Sequence, residues 1–134
     1  MADAALPALP TFFEPHAPPG WRAIDLISDL HLSADMPATF AAWAEHLRAT
    51  DADAVFMLGD LFEVWVGDDA RHDGFEARCA DVLAEAASLR TLAFMCGNRD
   101  FLVGGELLKA CGMLALPDPT VLVDLTTALN RLAP

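Results

Sequence analysis

The chain has 134 residues, enough for one ordinary domain that buries about two thirds of the surface its unfolded form exposes. It is 54% hydrophobic with a mean hydropathy of +0.34, yet no apolar run approaches the ~18 residues a membrane-crossing helix requires, which excludes a spanning helix. Twenty acidic residues against eight basic ones give a net charge of −12, which repels a phosphate backbone and makes nucleic acid an unsuitable partner.

Residues 1–20 are rich in proline and carry no periodic pattern, so they read as an irregular leader that pairs with nothing essential. They contain no basic segment followed by an apolar core, which argues against a secretory signal and for a cytoplasmic location. The fold is expected over 21–125, with a divergent tail over 126–134. Arg22–Ile27 reads as a strand, and Phe40, Trp43, Ala44 and Leu47 follow at helical spacing. Ala54–Leu58 is a short apolar strand. Phe75, Cys79, Val82, Leu83, Ala86 and Leu89 mark one face of a second helix, and Leu92–Cys96 is a third strand. A third helix runs through Glu106, Leu107, Leu108 and Ala110 and stops at Gly112, which tolerates the left-handed conformation past a helix end. Val121–Val123 is a candidate fourth strand.

Strands separated by crossover helices predict an α/β fold: a largely parallel sheet with right-handed connections and helices on at least one face. In such sheets polar sites form beyond the carboxyl ends of the strands. The first three strands each end in a polar cluster: Asp29-Leu30-His31, Gly59-Asp60 and Gly97-Asn98-Arg99-Asp100. Parallel strands lay these ends side by side, bringing Asp29, His31, Asp60 and Asn98 into one small volume. Two carboxylates ~4 Å apart repel by about 4 kcal/mol at an effective dielectric near 20, a penalty a cation removes. Asp-x-His on an extended segment would point both side chains the same way. Glycine before Asp60 and before Asn98 permits tight turns and close backbone approach. Carboxylate, imidazole and amide donors without thiolate favour Mn²⁺, Fe²⁺ or Mg²⁺ over a structural zinc.

Taken singly, an Asp-x-His or a Gly-Asp is an ordinary turn or cap; their recurrence after three successive strands points to a metal site. The other histidines, His16, His46 and His72, read as surface residues. Cys79, Cys96 and Cys111 lack any Cys-x-x-Cys spacing and read as reduced and structural. Glu63, Trp65, Asp68 and Asp69 fit a substrate cleft, a helix cap or core packing equally well.

The three clusters resemble the first half of the calcineurin-like metallophosphoesterase signature. Their surroundings, Ile27–Leu32, Leu58–Asp69 and Gly97–Leu102, look like the UDP-2,3-diacylglucosamine hydrolase family in particular, over about residues 22–123. The resemblance implies about half of an α/β/β/α sandwich. It implies two Mn²⁺ ions (or Fe²⁺ or Mg²⁺), with Asp29 and His31 on the first, Asp60 bridging both and Asn98 on the second. Asp60, Asn98 and Arg99 would then be catalytic, and Asn98 and Arg99 would meet the substrate phosphates. The implied reaction hydrolyses the pyrophosphate of UDP-2,3-diacylglucosamine to UMP and 2,3-diacylglucosamine 1-phosphate in lipid A biosynthesis, peripherally on the inner face of the inner membrane. Alternatives are another phosphoesterase of the superfamily or an inactive metal-binding fragment.

One departure stands beside the match. The family's later metal-binding histidine segments and its acyl-binding helical insertion have no counterpart before the chain reads Val123–Pro134. The expectation is a truncated form, doubtful as an enzyme alone and prone to self-association through an exposed sheet edge.

Overall fold

The computed structural model describes residues 13–123. Four strands, β1 (Ile24–Ile27), β2 (Ala54–Leu58), β3 (Thr91–Met95) and β4 (Leu114–Ala115), form one sheet in the order β1-β2-β3-β4. Every neighbouring pair is parallel, with Ile24 opposite Ala54, Ala54 opposite Thr91, and Ala93 opposite Leu114. The helices α1 (Pro37–Ala49), α2 (Gly74–Leu89) and α3 (Gly105–Cys111) carry the chain between successive strands. This is the parallel α/β sheet that the spacing of apolar segments predicts. Among the described residues no helix is long and apolar enough to cross a membrane.

The alternation of side chains along each strand divides the sheet into two unlike faces. Val55, Met57, Leu92 and Phe94 point to the helical side, where they join Trp43 and Leu47 of α1, Cys79 and Leu83 of α2, and Leu107 of α3 in the main core. Arg78 sits over the Phe40 ring at 4.6 Å, so a charged side chain of α2 covers an aromatic of α1. Ala54, Phe56 and Ala93 point the other way into a smaller cluster with Leu116, Trp21 and Leu122. Beyond that cluster, toward the carboxyl ends of the strands, the same face carries Leu26, which is 63% exposed, and Leu58.

The reading of Val121–Val123 as the fourth strand is corrected. Gly112 closes α3 at φ 77° as expected, but the chain turns there at once, and Leu114–Ala115 reaches β3 first. Val121–Val123 instead pairs with the leader: the Val121 and Val123 amides donate to Phe13 and Pro15, and the Ala17 amide donates to Val123. Ala17 is buried, so the expectation of a leader pairing with nothing is also corrected for 13–17. The part of the leader before residue 13, and the tail expected over 126–134, lie outside the described residues.

Asp68 fastens α3 from outside its own element. Its carboxylate accepts from the backbone amides of Gly104 (3.0 Å) and Leu107 (2.9 Å) and from the Trp65 indole (3.1 Å). Of the roles open to Asp68 in the sequence, the structure supplies a helix cap, though for a helix some forty residues downstream. Burial pushes this carboxyl up. The amides of Leu107 and Gly104, with Trp65 and Arg71, outweigh that and hold it below the ordinary carboxylate range.

Because the folded value is depressed, Asp68 contributes stability that is present above the unfolded carboxyl range and lost as pH falls through the folded value. Urea unfolding of the parent and of Asp68→Asn should therefore differ most near neutral pH, and the difference should shrink below about pH 4. In the core, Leu83→Ala should cost about 2–5 kcal/mol, whereas Leu26→Ala on the open face should stay within about 0.5 kcal/mol in the same measurement.

Candidate metal centre

The loops that follow β1 and β2 stay zipped together past the ends of the strands. The amides of Asp29, His31 and Leu32 donate to the carbonyls of Gly59, Asp60 and Leu61, and the Glu63 amide returns a bond to Leu32. Within this ribbon three non-glycine residues adopt the left-handed conformation: Asp29 (φ 57°), His31 (φ 49°) and Asp60 (φ 51°). Each such residue costs about 1–3 kcal/mol and persists only where its surroundings enforce it. The expectation that Asp29 and His31 share a side through extended alternation is thereby corrected, since left-handed turns at both residues bring the side chains round.

Asp29, His31 and Asp60 each offer a ligand atom within 4.8 Å of the others. His31 Nε2 lies 3.9 Å from Asp29 Oδ1, while its Nδ1 lies 2.8 Å from Glu63 Oε2. Two carboxylates and an imidazole turned onto one point by three left-handed residues suit a divalent cation, so the donor set passes the chemical test for a metal site.

The third cluster approaches from β3. Gly97 lies so close to the β2 loop that a Cβ on it would stand 2.2 Å from Asp60 Oδ1, and one on Gly59 would stand 3.1 Å from the Gly97 Cα. Both glycines thus perform the close approach that the sequence predicts. Asp60 Oδ1 accepts from the Arg99 amide at 2.9 Å. Asn98 stands against Asp60 as well: with its amide turned so that the nitrogen faces the carboxylate, it would donate to Oδ1 at 3.1 Å and Oδ2 at 2.9 Å. The structure therefore brings together all five predicted site residues. Three form the compact ligand group, Asn98 reaches it through Asp60, and the Arg99 guanidinium lies 3.2 Å from Glu63 Oε1.

Two participants take roles that a reading of the sequence leaves open. Asp100 is a fully buried carboxylate that accepts from the amides of Gly97 (2.7 Å), Leu61 (2.8 Å), Phe62 (3.3 Å) and Asp60 (3.3 Å). An aspartate three residues after a glycine signals a side-chain-to-backbone turn, but only the fold shows that its bonds also reach across to the β2 loop. Glu63 touches both His31 and Arg99. The remaining histidines are exposed: His16 pairs by its backbone with Val123, His46 meets Asp25 at 2.9 Å, and His72 ends a 3₁₀ turn over Asp68–His72.

The cysteines divide. Cys79 and Cys111 are buried, Cys96 is exposed, and none is in a disulfide. Burial pushes the Cys79 thiol up to about 12, which keeps it protonated. A hollow of about 380 Å³ lined by Leu32, Ser33, Asp35, Val64 and Phe75 opens beside Glu63. A larger one, about 620 Å³, lies among Thr50–Asp53 and Ser88–Leu92 at the opposite end of the sheet, away from the ligand group.

No protein-family model matches the chain. It is 50% identical over 99 residues to the UDP-2,3-diacylglucosamine hydrolase of Ralstonia nicotianae, an alignment covering 72% of this chain and 37% of that protein. The enzymes of that name from Shewanella pealeana and Xanthomonas axonopodis pv. citri are 46% and 45% identical, over 69% and 72% of this chain and 39% and 40% of their own length. Among solved structures, nuclease MPE of Pseudomonas putida superposes with a TM-score of 0.51 at 20% identity, covering 72% of this chain and 48% of that one. That likeness shows a shared fold.

Removing the Asp100 carboxylate leaves several amides without an acceptor, two of them on the buried residues Leu61 and Phe62. Asp100→Ala should cost about 3 kcal/mol or more in urea unfolding. Gly97→Ala should displace Asp60 and weaken Mn²⁺ binding in calorimetric titration more than it lowers stability.

With its strand-end ligand group in place, the chain is similar in sequence to the UDP-2,3-diacylglucosamine hydrolases and spans about two fifths of the length of those it matches.

Proposed function

We propose that the ligand group of Asp29, His31 and Asp60 is one half of a dinuclear centre, with Asp60 shared and Asn98 serving a second ion. The intact protein would use it to hydrolyse the pyrophosphate of UDP-2,3-diacylglucosamine to UMP and 2,3-diacylglucosamine 1-phosphate. The observation that carries this reading is the convergence of the three ligand atoms within 4.8 Å, in a chain similar to hydrolases of that name. Mn²⁺ is the proposed metal, with Fe²⁺ or Mg²⁺ as alternatives, since the donors are oxygen and imidazole. When bound, two such ions polarise phosphoryl oxygens and make water more acidic.

The chain's own residues supply the rest. Arg99, with a half-exposed guanidinium beside the ligand group, would hold substrate phosphate oxygens through its planar pair of donors. Asn98, exposed and next to Asp60, would exchange its bond to that carboxylate for a role as ligand and phosphate contact. A diacylated substrate would place the protein on the cytoplasmic face of the inner membrane. Lipid A synthesis would be its context.

A second reading, an inert metal-binding fragment that self-associates, is favoured by one observation. The sheet face opposite the helices is apolar, with Leu26 63% exposed on it, and such a surface invites pairing with another copy.

Titration of the 134-residue chain with Mn²⁺ tests the site. Binding should be weak, and Asp60→Ala should abolish it; equal binding by that variant would sink the assignment. Assayed alone with excess Mn²⁺, the chain should turn over UDP-2,3-diacylglucosamine negligibly, because the described residues offer one ion three side chains and the other only two. Robust turnover that Asp60→Ala abolishes would mean that further ligands come from elsewhere, for example from a second copy.

A further inference from the structure

We infer that Glu63 is a positioning residue that fixes the tautomer and orientation of His31 for the metal. The inference rests on the metal-site reading above and goes beyond it, because Glu63 is not a member of the ligand group.

His31 has two ring nitrogens, and only one that carries a lone pair in the right place can bind an ion. Nε2 is turned toward Asp29, 3.9 Å from its Oδ1, and hence toward the ligand group. Nδ1 is turned away and lies 2.8 Å from Glu63 Oε2. At this distance an unprotonated Nδ1 would set its lone pair against those of the carboxylate, so the contact favours the proton on Nδ1, and in the neutral ring that leaves Nε2 bare. Free imidazole in water has no such constraint. An ion meeting an unanchored ring must first select the right tautomer and rotamer.

Glu63 can do this because it is held at three points. Its amide donates to Leu32, the residue after His31, at 3.0 Å. The two residues before it, Leu61 and Phe62, are buried and donate to the buried Asp100 carboxylate. Its second oxygen, Oε1, is tied to Arg99 at 3.2 Å, which keeps the carboxylate from rotating off the imidazole. One carboxylate thus joins the loop after β1 to the loop after β3, with a separate oxygen for each. The Glu63 side chain is 40% exposed, so its substitution leaves the core untouched.

The test combines two measurements on the full 134-residue chain. In the metal-free parent at about pH 8.5, where imidazole is neutral, ¹⁵N shifts of His31 should report the Nδ1–H form, and Glu63→Ala should move the ring toward Nε2–H. Calorimetric titration with Mn²⁺ should then show Glu63→Ala weaker than the parent by about 10- to 100-fold, the usual loss when a partner of a ligating histidine is removed. Glu63→Gln, which keeps an acceptor oxygen, should recover to within about threefold of the parent, and unfolding midpoints should be unchanged. An Nε2–H tautomer in the parent overturns the inference without recourse to any variant. So does Mn²⁺ binding by Glu63→Ala within about threefold of the parent while Asp60→Ala binds none, an outcome that leaves the metal site standing. If Asp60→Ala itself binds like the parent, the site reading falls and the role of Glu63 falls with it.

Discussion

Four backbone amides from two different loops converge on the Asp100 carboxylate, which has no exposure to solvent. Hydrogen bonds to a charged group contribute about 1.5–3 kcal/mol each, and a carboxylate buried without them would be prohibitive. The loop after β3 can therefore leave its sheet only by abandoning the loop after β2. Everything that faces the ligand group is built on that tie: Asp60 and Glu63 on one side, Asn98 and Arg99 on the other. Asp29 and His31 join through the backbone ribbon that continues the pairing of β1 and β2.

This arrangement sustains a backbone that would otherwise relax. Three left-handed non-glycine residues in two short loops represent several kcal/mol of conformational cost. Asp and His are better suited to it than most residues, and asparagine and glycine would accept it more easily still. Two aspartates and a histidine nonetheless occupy these positions, and their ligand atoms meet within 4.8 Å. The close passage of Gly59 and Gly97 serves the same end, since a side chain on either would drive the loops apart and take Asp60 away from its neighbours.

The sheet shows a second asymmetry. Its helical face is closed by three helices into one core, whereas among the described residues its other face is covered near the amino ends of the strands, by Trp21, Leu116 and Leu122. Strands buried on both faces read as continuous apolar runs, and Ala54–Leu58 is such a run although Leu58 is partly open to solvent. Helix α3, only seven residues long, owes its place to a remote carboxylate, Asp68, as much as to its own sequence.

The sequence by itself determined the elements whose causes are local. Apolar runs bounded by polar clusters set β2 to the residue, helical spacing of Phe40, Trp43 and Leu47 and of Cys79, Leu83 and Ala86 set α1 and α2, and Gly112 stopped α3. Alternating strands and helices implied a parallel sheet, and that sheet put Asp29, His31, Asp60 and Asn98 near one another. What the tertiary structure alone decided depends on which segments meet across the chain. Val121–Val123 has the composition of a strand, yet it lies against residues 13–17, because Leu114–Ala115 emerges from α3 already beside β3. Nothing in the Asp-x-His spacing announces left-handed turns, since φ there is enforced by bonds to the neighbouring loop. In the sequence Asp100 is one member of a polar cluster, and Asp68 and Glu63 fit a cleft, a cap or core packing alike. Their roles come from partners as far as forty residues away, and no local pattern can encode a partner that only folding brings within reach.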